Sequence, residues 1–318
     1  MTISDARSGS RESATAFAPA SVGNVAVGFD VLGLSVQAIG DRVTARRVAE
    51  PGVRIVAITG LVRDLPLDAE RNTAGMAVLS IVRDQQLTFG IELSIEKGIP
   101  LGSGLGGSAA SAVAAVVAAN ALLATPLDNL ALLKHAMRGE EVASGSVHVD
   151  NIAPSLYGGL VLTVGIDNPN VKQIPVPANV RCVLVHPHMM LSTREARKIL
   201  KPTVPLADVI WQTANLAGFL TGCFTSDLRL IGESLEDVVI EPQRRVLIPG
   251  FDAVKQAAKD VGALGCSISG AGPTVFAWIR AEQAEAARDG MVAAFKAHGL
   301  ESDAWISTLE PNGARLID

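Results

Sequence analysis

The chain has 318 residues, 48% hydrophobic and 19% charged, with a net charge of −5. That length and composition suit a globular protein with a large core and two domains, and exclude a disordered chain. The acidic balance argues against a nucleic-acid partner, and the longest apolar run, Ala109 to Ala124, carries Ser111 and Asn120 and falls short of a membrane span.

Residues 1–14 read as a disordered polar tail with no apolar core of a signal peptide. Cys182, Cys223 and Cys266 lie far apart without metal-ligand spacing, as expected of reduced structural residues in a cytoplasmic protein. Ala16 to Phe29 has strand character, with turns at Gly23-Asn24 and Gly28. Val31 to Val48 alternates as strands, with Gly40-Asp41 expected as a hairpin turn. Val53 to Thr59 is a further strand, and Asn72 to Gln85 a helix capped by Asn72.

Ile91 to Glu96 reads as a strand leading into Pro100, Leu101, Gly102, Ser103, Gly104, Leu105, Gly106, Gly107, Ser108, Ala109 and Ala110. Glycine permits positive φ and removes the Cβ that would block a ligand. The helix expected immediately behind offers unpaired N–H groups and the positive end of its dipole. The expectation is a loop that wraps polyphosphate and lays it on a helix N-terminus, with Ser103 and Ser108 adding hydroxyls for phosphate or Mg²⁺. The lysine of GxxxxGK[ST] is missing, and so is the acidic residue about twenty positions after a dinucleotide-binding GxGxxG. Taken alone, the segment also fits a plain Gly/Ser turn.

Leu127 to Ala143 reads as a helix capped by Asp128, Ser144 to Gly159 as a polar loop or short helix, and Leu160 to Val164 as a strand. Residues 168–177 carry three prolines and no period, which marks a junction between domains at 15–167 and 168–318. Beyond it come a strand at Arg181 to Val185 and helices at Thr193 to Leu200, Asp208 to Thr225, Ser226 to Glu233 and Phe251 to Asp260. A glycine turn at Ser267 to Pro273 leads to the strand TVFAWI, a helix at Ala281 to Ala297 and a strand at Asp303 to Leu309. The mixture is α+β.

Six segments carry a resemblance to the homoserine kinases of the GHMP small-molecule kinase superfamily. IPLGSGLGGSAA resembles the nucleotide loop PxxxGLGSSAA, with Gly107 in place of the first serine, which keeps the backbone cradle and drops a hydroxyl. APASVGNVAVGFDVLGL resembles the signature S-x-x-N-x-x-x-G-F-D through Ser21, Asn24 and Asp30. Glu140, His148, Asp150 and Asn151 match E-x7-H-x-D-N-x-A-P. STREARKIL and EPQRRVLIPGF match STxEAR and EPxR, and SISGAGPTVFA is similar to the third GHMP motif.

The resemblance implies an N-terminal domain like ribosomal protein S5 domain 2, a C-terminal ferredoxin-like domain, and an active site between them. It implies ATP and Mg²⁺ as cofactors, L-homoserine as substrate, O-phospho-L-homoserine as product, a step toward threonine, and a homodimer. By the same resemblance Asn24, Ser108, Glu140 and Asn151 are catalytic, with Ser108 and Glu140 on the metal. Asn24, Asp30, His148, Asp150, Thr193, Arg197, Arg244 and Gly270 contact the amino acid; Asn72 and residues 100–110 contact the nucleotide. Asp30 is expected against the substrate ammonium, and Arg197 and Arg244 against its carboxylate. Asn151 cannot take a proton, so catalysis is expected to rest on positioning and charge neutralisation. A kinase for another small alcohol and a non-catalytic nucleotide sensor remain as alternatives.

Overall fold

The computed structural model describes residues 11–144, 148–165 and 168–317. Two antiparallel-rich sheets carry the fold. The chain opens with β1 (Ser13–Gly23), β2 (Leu32–Val48) and β3 (Gly52–Gly60), then α1 (Thr73–Asp84) and β4 (Gly90–Lys97). β3 and β4 are parallel, so their connection must cross over, and α1 makes that crossing. Next come α2 (Gly107–Asn120), α3 (Asn129–Ser144), α4 (Val149–Tyr157), β5 (Leu160–Val164) and β6 (Asn170–Ile174).

The second half contains β7 (Val180–Pro187), α5 (Thr193–Lys198), α6 (Leu206–Thr225), α7 (Leu228–Ser234), α8 (Glu241–Arg244) and α9 (Phe251–Asp260). It ends with β8 (Gly265–Ile268), β9 (Val275–Arg280), α10 (Ala284–Ala297), β10 (Ser302–Thr308) and β11 (Arg315–Leu316). The first sheet runs β11-β1-β2-β4-β3, with β5 and β6 attached through β2; the second runs β10-β7-β9-β8.

α2 is apolar on every side and buried along nearly its whole length against β1 and β2, with α1 and α3 beside it. In the second sheet, strand alternation sorts side chains onto two faces. Val183 and Val185 of β7 pack with Val254, Met291 and Phe295 of α9 and α10. Cys182 and Leu184 turn the other way, into the main core with Phe219 and Trp278, whose rings lie 5.2 Å apart.

Four sequence expectations change. The tail read as residues 1–14 overlaps β1, since Ser13 and Ala14 pair with Arg46 and Ala45; its first ten residues lie outside the described residues. Gly40-Asp41 is no hairpin turn, because β2 continues through it as one strand; the irregularity is a bulge in which Gln37, Ala38 and Ile39 of β2 go unpaired with β1, opposite Pro19 and Ala20. A proline lacks the N–H that a regular ladder needs, so the bulge sits there. The proline-bearing stretch 168–177 contains β6, which pairs with β5, so the first sheet extends past the expected junction. The first sheet also receives β11 from the far end of the second half. All three cysteines are buried and free.

Candidate active site

The glycine loop forms as its composition dictates. Gly102, Gly104 and Gly106 all have positive φ, and a Cβ at Gly104 would lie 2.5 Å from the Ser269 carbonyl oxygen. At Gly106 it would lie 2.2 Å from Ser21 Oγ. The loop carbonyls are drawn outward. Gly102 O accepts from Leu191 N (3.1 Å), Ser103 O from Thr274 Oγ1 (2.6 Å), Gly104 O from Ser269 Oγ (2.8 Å) and Leu105 O from Ser21 N (3.1 Å). With its carbonyls engaged and α2 starting at Gly107, the loop is built to offer N–H groups to an anion.

The loop walls a cavity of about 520 Å³ between the two halves. Asn24, Asp30, Asn72, Ser108, Glu140, His148, Asp150, Asn151, Thr193, Arg197, Arg244 and Gly270 all line it, as do Pro100 through Gly104, Gly106 and Gly107. Leu105, Ala109 and Ala110 do not: their side chains are buried in the core, where they support the loop. The side chain of Asn72 is largely committed to structure. Its Oδ1 accepts from Ala74 N as the α1 cap, and its Nδ2 donates to Pro66 O. Sequence reasoning missed Lys97 and Ser111, which also line the cavity. A polar residue inside an apolar helix and a lysine at a strand's end were the available signals.

At the nucleotide end, Ser108 Oγ donates to Glu140 Oε1 at 2.8 Å. Glu140 is buried near the end of α3 while Glu141 is exposed, and burial pushes the Glu140 carboxyl up to about 7. A hydroxyl and a carboxylate converging at a helix N-terminus make a hard-oxygen pair suited to Mg²⁺, which shares its other ligands with phosphate and water.

At the other end, the segment 24–30 is strained. Asn24, Val25, Ala26 and Asp30 have φ of 68°, 43°, 57° and 60°, a region costly for residues other than glycine. The strain is held by bonds from Asn24. Its N–H donates to Asp150 Oδ2 (3.1 Å), its Nδ2 to Gly270 O (3.0 Å), and its Oδ1 accepts from Asp30 N (3.0 Å). Asn151 accepts from Ser21 Oγ at 3.0 Å. Burial, then the neighbouring Asp30 charge, pushes Asp150 up to about 7. His148 is held below its ordinary value by burial and by Arg197.

The two arginines differ in kind. Arg244 is buried, with Nε and Nη1 given to the carbonyls of Ala196 and Gly270, and its pKa is lowered by that burial. Arg197 reaches across the cleft to Asp30, at 2.8 and 3.0 Å to the two oxygens, and its buried Nε has no partner among the described residues. Phe29 lies under both guanidiniums, 5.2 Å from Arg197 and 5.3 Å from Arg244. Arg194 and Arg245 beside them are exposed.

A glycine loop at a helix N-terminus, walling one cleft with Asp30, Asp150, Arg197 and Arg244, is the arrangement of a small-molecule kinase. Residues 72–159 match the GHMP kinases N terminal domain and residues 218–297 the GHMP kinases C terminal domain. Homoserine kinase of Xylella fastidiosa (strain M12) is 53% identical over 305 residues, 96% of this chain and 94% of that one. Homoserine kinase of Xanthomonas campestris pv. campestris (strain B100) is 51% identical with the same coverage. The crystal structure of homoserine kinase from Cytophaga hutchinsonii superposes with a TM-score of 0.94 at 44% identity, over 100% of both chains. The chain belongs to the homoserine kinase family of the GHMP kinases. Among the described residues no helix is long and apolar enough to cross a membrane.

Proposed function

We propose that this protein transfers the γ-phosphoryl group of ATP to the side-chain hydroxyl of L-homoserine, giving O-phospho-L-homoserine and ADP, as a cytoplasmic homodimer. The Asp30–Arg197 pair carries the reading. In the cavity, beside the phosphate loop, a carboxylate and a guanidinium face one another at 2.8 Å. An α-amino acid brings the complementary pair, so its carboxylate replaces Asp30 on Arg197 while its ammonium takes Asp30. An uncharged sugar or a simple hydroxy acid supplies no such match.

The N–H groups of residues 102–108 bind the phosphates and hold the terminal phosphorus near the acceptor hydroxyl. Ser108 and Glu140 would hold Mg²⁺, which when bound would neutralise charge on the phosphate oxygens. Asn24 and Asn151 orient the acceptor. Both are amides, so the step depends on alignment and charge stabilisation; the hydroxyl proton leaves late, onto the transferred phosphoryl group, in keeping with a loose transition state.

The test is ADP release with Mg-ATP and L-homoserine, L-serine, L-threonine, mevalonate or galactose. Strong preference for L-homoserine supports the reading. Preference for another alcohol would replace the substrate, and nucleotide binding without turnover on any of them would favour a sensor. Light scattering during gel filtration tests the homodimer.

A further inference from the structure

We propose that the buried pair Asp41–Lys97 is the positioning device that ties the two ends of the phosphate loop together, and that Lys97 is not itself a phosphate ligand. The inference rests on the nucleotide-binding part of the kinase reading. Asp41, in the middle of β2, is fully buried, and Lys97, the last residue of β4, is 5% exposed.

The Asp41 carboxylate is fully occupied. Oδ1 accepts the N–H groups of Gly98 (2.9 Å) and Ile99 (3.2 Å), where the chain enters the loop. Oδ2 accepts from Ser111 Oγ at 2.6 Å and from the Lys97 ammonium. Lys97 Nζ donates in turn to Gly107 O (2.7 Å) and Ser111 Oγ (2.8 Å), where the chain leaves the loop and enters α2. One carboxylate therefore fixes the entry, one ammonium fixes the exit, and their contact fixes the distance between them.

An ammonium has three N–H donors, and Lys97 spends them on Asp41, Gly107 and Ser111. None remains for an incoming phosphate. This separates Lys97 from the lysine of GxxxxGK[ST] loops, which reaches the terminal phosphates. A buried ion pair is weak evidence for stability, because its desolvation offsets its attraction. Its placement at both ends of one ligand-binding loop gives it a different task, pre-organisation of the cradle.

The test is the double variant Asp41→Asn/Lys97→Met, which removes both charges and the link to Gly107 while keeping acceptors for Gly98 and Ile99. ATP and ADP affinities are read directly by calorimetry, and KM for L-homoserine by turnover. The expected result is about tenfold or greater weakening of both nucleotides by similar factors, with KM for L-homoserine within about twofold. Unchanged nucleotide affinity in a folded double variant would overturn the proposal, as would weakened ATP with unaltered ADP, the mark of a lysine on the terminal phosphate. Ser111→Ala removes one hydroxyl of the same link and is expected to weaken both nucleotides by about threefold. If the double variant does not fold, that measurement decides, and unchanged affinities in it would overturn the proposal. Because binding is measured without turnover, failure of the kinase assay on every alcohol would sink the functional reading and leave this test standing.

Discussion

Arg197 and Asp30 are 167 residues apart in the chain, yet one guanidinium nitrogen sits 2.8 and 3.0 Å from the two carboxylate oxygens. The pair joins the strained turn after β1 to α5 of the second half. Both side chains are about two-fifths exposed, so the bond itself adds little stability. Under the proposed function its meaning lies in what would replace it, one end of a zwitterion on each partner.

Asp30→Asn keeps the shape and removes the charge that meets the ammonium. KM for L-homoserine is expected to rise by roughly 10- to 100-fold, the usual size of one charge-assisted bond, with KM for ATP within about twofold. Steady-state kinetics with each substrate varied in turn will show whether the loss falls on the amino acid alone.

Glu140→Ala is expected to lower kcat by at least about 100-fold at ordinary Mg²⁺, the size typical of a lost electrostatic stabiliser. Part of that activity should return as Mg²⁺ is raised. An activity curve that stays flat on Mg²⁺ titration would argue that Glu140 acts elsewhere.

Gly104→Ala places a methyl 2.5 Å from the Ser269 carbonyl oxygen and 2.6 Å from that of Gly272, on backbone that cannot yield cheaply. It also forces a residue with a Cβ to φ of 76°. Nucleotide binding should fall by more than about tenfold, whereas Gly52→Ala, with nothing within 4 Å of its Cβ, tests the cost of positive φ alone. Calorimetry with ADP compares the two.

The Asp150 carboxyl ionises near 7 in the fold but near 3.9 in an unfolded chain. Folding therefore takes up a proton between those values. The contribution to stability is fully present below about 4 and is lost as pH rises through about 7. In the ligand-free protein, Asp150→Asn should escape this loss and gain on the order of 2 kcal/mol relative to the parent between pH 5 and pH 8. Urea titrations at the two pH values measure it, in a Glu140→Gln background for both proteins because the Asp150 charge itself helps to raise Glu140. Parallel losses in the two proteins would refute the assignment.

Much of this site could be read from the sequence because its chemistry uses distinctive local patterns. The glycine loop, the turn at Asn24 and Asp30, and the run from Glu140 to Asn151 each announce themselves by polar residues set among breakers or apolar neighbours. Asp41 shows why the rest was hidden. Gly-Asp between alternating residues is a proper hairpin signal, but the same aspartate satisfies four donors from β4, the loop and α2. Those partners are 56 to 70 residues away, so no window along β2 contains them. Leu105, Ala109 and Ala110 show the converse: they share a motif with cavity-lining residues, but their side chains are buried in the core, which the motif alone does not reveal.

The loop's carbonyls are held by groups made much later in the chain, since Ser269 lies 165 positions after Gly104 and Thr274 lies 171 after Ser103. The glycine segment is therefore synthesised after Ser21, Asp41 and Lys97, which hold Leu105 O and the two ends of the loop, but long before the groups that hold the carbonyls of Ser103 and Gly104. A chain that stops short of residue 269 lacks the donors that turn the Ser103 and Gly104 carbonyls outward. The cradle is thus a joint product of both halves: its two ends are set by the first, and two of its carbonyls by the second.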